Sequence, residues 1–229
     1  MNKRTLNVFS LMINLTLFVV VVYSVAHNFR TDIIREDVDW FSFTGFENFR
    51  YFTTLSNVFC ALASLTALFF NVKNVITDEF RFPVFVTVLK FAAVTAVAVT
   101  FFTVTVFLSP MIATGGKSYF LLFKGNSFFL HFLVPALAVV NFCVFEKANR
   151  IKFGCTLVAI TPVVIYSVIY LTCVLGFAVW PDFYNFTLGG NYRVLPFMVL
   201  GMYLLNFGLA VLLRFLHNLS IRKSFNENG

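Results

Sequence analysis

Two short stretches of this sequence carry residue types that could make and break an ester bond. The first is Phe49-Arg50-Tyr51-Phe52-Thr53-Thr54-Leu55-Ser56-Asn57. If that stretch opens a helix, Thr53, Ser56, Asn57, Cys60 and Ser64 recur at i, i+3, i+4, i+7 and i+11, a single polar face on an apolar segment. The second is Leu130-His131-Phe132-Leu133-Val134-Pro135. A threonine hydroxyl becomes a nucleophile only when a base takes its proton, and an imidazole with an ordinary pKa of about 6.5 is suited to that task. Such a pair would attack an ester carbonyl, carry the acyl group, and release it to water. Ser56 and Asn57 are the nearest donors for the developing oxyanion. Each residue also has a plainer reading. Ser, Thr and Asn commonly tie membrane helices together, and a buried histidine is often satisfied by a neighbouring hydroxyl or carbonyl.

The elements that must position these residues follow from composition. The chain has 229 residues, 59% hydrophobic and 12% charged, against about 25% charged in soluble domains. A soluble globular protein is excluded. With 11 Gly, 6 Pro and 4 Cys, so are a collagen and a disulfide-stapled domain. A helix needs roughly 20 apolar residues to cross the hydrocarbon core. Six segments qualify: 6–27, 51–70, 84–108, 128–145, 153–178 and 194–216. Their apolar residues run in blocks without strict alternation, which argues against a membrane β-barrel. The expected fold is an all-α, polytopic bundle of six transmembrane helices, a single domain over 1–229. The first segment is too long for a signal-peptide core and reads as an uncleaved span.

An even number of spans places both termini on one side. Of the 17 Lys and Arg, six fall on the opposite side (Arg30, Arg35, Arg50, Lys117, Lys124 and Arg193). The remaining eleven share the side of the termini, which the positive-inside bias makes cytoplasmic. The charge is scattered, with no basic stripe for nucleic acid. Asp32, Glu36, Asp37 and Asp39 form an acidic outer loop. All ten Asp and Glu fall in loops or tails on this reading, which argues against a proton-coupled carrier. Lys90 and Arg214 are expected to snorkel from their spans to the cytoplasmic interface. His131 is too short to do so and needs a partner.

Spans two and four both begin outside, so Thr53 and His131 lie at similar depth in the outer leaflet. Arg50 could hold a carboxylate or phosphate at the interface. Trp180, with Pro181 after span five, is a further candidate substrate contact, although interfacial anchoring explains it as well.

Tyr51-Phe52-Thr53-Thr54-Leu55-Ser56-Asn57 resembles the segment around the threonine of the androgen-induced-protein-like family of six-span membrane hydrolases. His131-Phe132-Leu133-Val134-Pro135 is similar to that family's histidine segment, and Trp180-Pro181 to its aromatic stretch after span five. The resemblance implies a threonine hydrolase acting on fatty acid esters of hydroxy fatty acids, with Thr53 (or its neighbour Thr54) as nucleophile and His131 as general base. Where animal members have an Asp three residues after the threonine, this chain has Ser56, and the Ser-Asn form looks more like bacterial relatives. The expected location is accordingly a bacterial inner membrane.

The leading expectation is thus a membrane lipid-ester hydrolase drawing its substrate from the outer leaflet, with neither metal nor organic cofactor in its chemistry. The alternative is a non-catalytic membrane protein that binds or passes a lipid or small solute at the same polar face.

Overall fold

The computed structural model describes residues 3–30, 45–79 and 81–226, and among them every regular element is helical. Six helices are long and apolar enough to cross a membrane: α1 (Lys3–Arg30), α2 (Phe52–Thr77), α3 (Val84–Thr114), α4 (Asn126–Phe145), α5 (Cys155–Gly176) and α6 (Leu195–Arg222). The chain is a multi-pass membrane protein, and all six expected spans are present. The acidic loop residues Asp32, Glu36, Asp37 and Asp39 lie outside the described residues.

α3 occupies the centre, packed against α2, α4, α5 and α6. Its sequence explains the position. Phe91-Ala-Ala-Val-Thr-Ala-Val-Ala-Val-Thr100 is buried at every residue, and small and β-branched side chains let neighbouring helices approach on all sides, which is how membrane helices gain packing energy. α6 is at the periphery, and Phe197, Leu200, Leu204 and Phe215 on it are exposed. Those positions face lipid, so their exposure is the ordinary condition of a membrane helix rather than an unpartnered patch.

Two of the helices widen at a proline. Proline has no N–H, and its ring crowds the carbonyl four residues earlier. In α3 a π-helical turn spans Thr103–Leu108 and contains Val106, four residues before Pro110. In α4 a π-helical turn spans Phe129–Leu133 and contains His131, four residues before Pro135. The wider turn relieves the clash, and π-turns inside α-helices are frequent at functional sites. One such turn carries the candidate base.

Candidate functional site

The site is built on the first turn of α2. Tyr51 precedes the helix in an extended conformation and supplies no side-chain cap. The missing cap comes from elsewhere in the chain: Tyr184, in the segment between α5 and α6, accepts the Phe52 N–H at 2.9 Å. Tyr166 of α5 donates its hydroxyl to the Arg50 carbonyl at 2.6 Å. Tyr184 is itself almost fully enclosed, and burial pushes its phenol up to about 12. It is therefore a neutral oxygen on the helix end at any physiological pH.

Thr53 is half-buried and lines a cavity of about 40 Å³. The other walls include Thr100, Thr103, Ser167, Tyr166, Tyr170 and Tyr184, so hydroxyls ring a small apolar space. It has room for a few waters and is too small for a lipid ester. Beside it, a groove of about 660 Å³ opens between α2 and α5, with α3 as its floor. Phe52 and Tyr166 line both spaces, and their rings lie 5.1 Å apart. This pair is the partition between the lipid-facing groove and the Thr53 cavity.

The rest of the polar face is committed to holding helices. Ser56 shares a hydrogen bond of 2.8 Å with Thr100 of α3 and donates to the Thr53 carbonyl at 3.1 Å. Asn57 donates to the Thr53 carbonyl at 2.7 Å and to the Leu130 carbonyl of α4 at 3.1 Å. With its amide protons directed at two carbonyls, Asn57 ties α2 to α4 one residue from His131. Thr54 is buried at 5% exposure. Arg50 pairs with Glu47 at 3.1 Å on the surface. Trp180 packs against Tyr170 and Phe183 in an aromatic cluster beside the cavity, away from its lining.

His131 is buried, with Nδ1 2.6 Å from the Leu122 carbonyl. Leu122 belongs to a 3₁₀ turn, Tyr119–Phe123, that precedes α4. Only a protonated Nδ1 can donate to that carbonyl, so the contact selects the tautomer whose lone pair is on Nε2. The orienting group that sequence could not supply is thus a backbone oxygen. Asn57 links the Thr53 carbonyl to that of Leu130, the neighbour of His131, but His131 is not among the residues lining the Thr53 cavity.

A second polar constellation lies toward the opposite ends of the helices. Lys90 is 1% exposed, and instead of snorkelling to the interface it reaches inward. Its ammonium donates to Asn14 Oδ1 at 2.7 Å and Ser64 Oγ at 3.1 Å and lies 3.6 Å from Glu146 Oε1. Glu146, expected in a loop, turns back from the end of α4 and is 6% exposed. Asn14 and Asn141 donate to its Oε1 at 2.9 and 3.1 Å. The carboxylate is what neutralises the lysine inside the bundle. The signal was in the sequence: Asn7, Ser10 and Asn14 on α1, with Ser64 and Asn71 on α2, are spaced for polar faces as clearly as the stripe at Thr53.

Comparison of the chain with protein-family models, with curated proteins and with solved structures finds no match.

Proposed function

We propose that this protein is an integral membrane hydrolase of lipid esters, with Thr53 as nucleophile and His131 as general base. The observation that carries the reading is the placement of Thr53. Its side chain lines a hydroxyl-ringed cavity that only the Phe52–Tyr166 partition separates from a lipid-facing groove. His131, on the helix that Asn57 ties to α2, sets Nδ1 against the Leu122 carbonyl, a contact that favours the tautomer with its lone pair on Nε2, the form a base requires. An acyl chain lying in the groove would bring its ester to the partition, and displacement of the two rings would admit the carbonyl to Thr53. Nε2 of His131 would take the threonine proton as Oγ1 attacks. The same imidazole would return a proton to the departing alcohol, and water would release the acyl group. Arg50 would hold a substrate carboxylate at the outer interface, and Ser56 would turn its hydroxyl to the oxyanion. Fatty acid esters of hydroxy fatty acids are the substrate class, and a bacterial inner membrane with both ends in the cytoplasm is the setting.

A second reading, a non-catalytic binder of a lipid or small solute, is favoured by one observation: the cavity is small and His131 does not line it. Turnover of such an ester by the purified protein in detergent separates the two, together with covalent labelling by a fluorophosphonate. Thr53→Ala and His131→Ala should each lower turnover by about a thousandfold or more. Thr53→Ala should abolish labelling while changing unfolding free energy by less than about 1 kcal/mol. Turnover that survives both substitutions, or labelling that persists without Thr53, would overturn the mechanism.

A further inference from the structure

Arg214 stands on α6 one turn deeper in the membrane than Asn218. Asn218 accepts the Ile151 N–H and donates to the Ile151 carbonyl at 2.8 and 2.9 Å, which pins the α4–α5 connection to α6. This places Arg214 at the level where α5 enters the bilayer. Its guanidinium lies over the Phe153 ring, 5.2 Å from the centroid. The half-buried side chain makes neither a hydrogen bond nor an ion pair among the described residues, and its Nε is fully enclosed with no partner. A guanidinium carries five N–H donors, hydrocarbon offers them nothing, and an anion held at the membrane boundary would satisfy them.

The surroundings suit one anion in particular. Lys152 is exposed beside Phe153. The first N–H groups of the adjoining α5 are taken up by preceding carbonyls, Cys155 by Lys152 at 3.1 Å and Thr156 by Phe153 at 2.9 Å, and no acidic residue stands in its first turn, so no carboxylate there competes for an anion. Space around Gly154 is open, with nothing within 4 Å of where a side chain would start. Phe153 itself is exposed at 57%, an apolar surface for the glycerol and upper acyl region of a lipid. Glu146, the nearest carboxylate in sequence, is already engaged by Lys90.

We infer that Arg214 and Lys152 form a binding site for the phosphate of an anionic phospholipid. Arg214 makes the forked contact that phosphate geometry matches, and Lys152 adds a point charge at the rim. This site lies at the opposite end of the bundle from Thr53, and it stands or falls independently of the hydrolase reading.

The test is native mass spectrometry of the full chain in mixed micelles, titrated with phosphatidylglycerol, phosphatidylcholine or inorganic phosphate. Wild type should take up phosphatidylglycerol about tenfold more tightly than phosphatidylcholine, the scale of one charge-assisted contact. Arg214→Gln should erase that preference, Arg214→Lys should keep part of it, and Arg193→Gln at the other end should leave it intact. Equal affinity for the two lipids in wild type, or a preference that survives Arg214→Gln, would overturn the site. Inorganic phosphate that displaces phosphatidylglycerol at micromolar concentration would overturn the lipid as its source.

Discussion

The two polar regions inside this bundle solve the same problem in different ways. Around Lys90, seven side chains from α1 to α4 and its end (Ser10, Asn14, Ser64, Asn71, Lys90, Asn141 and Glu146) bond to one another. The full charge there is cancelled by Glu146. Around Thr53 no charged side chain lines the cavity, the polar groups are hydroxyls, and space is left between them. A lipid-embedded protein cannot leave polar atoms unpaired at no cost. The Lys90 region meets that demand for its charges by closing on itself, leaving only the amide atoms Asn71 Nδ2 and Asn141 Oδ1 of the network buried without a partner, and so serves chiefly to lock helices. The Thr53 region meets it with groups that exchange partners readily, as a site that admits a reactant must.

The sharpest way to break this comparison is to remove Glu146. Glu146→Ala leaves a buried ammonium facing asparagine amides, and loss of one partner of a buried ion pair costs about 3–5 kcal/mol. Removing both charges together, in Lys90→Met/Glu146→Gln, should cost less than Glu146→Ala alone, because no charge is stranded. Denaturant unfolding in detergent measures both. A double variant as unstable as the single one would show that the network's hydrogen bonds, and not its charge balance, hold that half.

The number of spans and their order were legible in the sequence because about 20 apolar residues in a row admit one explanation in a chain this hydrophobic. Their ends were less so. α2 continues to Thr77 where hydropathy suggested an end near residue 70, because Asn71 and Asn74 are polar yet find partners inside the bundle. Glu146 was misplaced for the same reason: a carboxylate after an apolar span reads as solvent-facing until a buried lysine across the bundle is seen to need it. At the Thr53 site the face Thr53-Ser56-Asn57 was readable from helical spacing. The cap by Tyr184 and the carbonyl of Leu122 on His131 were not. Both are contacts between segments set by loop paths, and a carbonyl has no signature in a sequence.

Tyr184→Phe tests whether the Thr53 region depends on that borrowed cap. The substitution keeps the ring and removes the oxygen that the Phe52 N–H uses. Loss of a helix cap and a buried unmet donor together cost about 1–2 kcal/mol. The change should appear as faster backbone hydrogen exchange at Phe52 and Thr53, with the Lys90 region unaffected. Exchange that speeds equally in both regions would mean that they unfold as one unit, and the contrast between a locked half and an adaptable one would fail.

The smallest expected effect comes from Asp182, which organises the segment that carries Tyr184. Its carboxylate accepts the Tyr170 hydroxyl at 2.7 Å, the Thr187 N–H and hydroxyl at 2.8 and 2.7 Å, and the Phe186 N–H at 3.0 Å. Partial burial works to raise its pKa, but these donors outweigh burial and hold it below the ordinary carboxylate value. A carboxylate with a depressed folded-state pKa contributes stability that is complete above the unfolded value of about 3.9 and is lost as pH falls through the folded one. Because the group is partly solvated, the contribution is below about 1 kcal/mol. Acid below about pH 4 should therefore loosen the Asp182–Thr187 turn before it unfolds the bundle. Trp180 lies 6.1 Å from Phe183 and reports the change by fluorescence in a Trp40→Phe background, where it is the sole indole. Asp182→Asn, whose amide nitrogen cannot accept a hydrogen bond, should remove that acid transition and show the loosened spectrum already at neutral pH. If the transition persists in Asp182→Asn, the turn owes its order to packing of the surrounding aromatic rings, and the adaptable half would be held by the same close packing as the rest of the bundle.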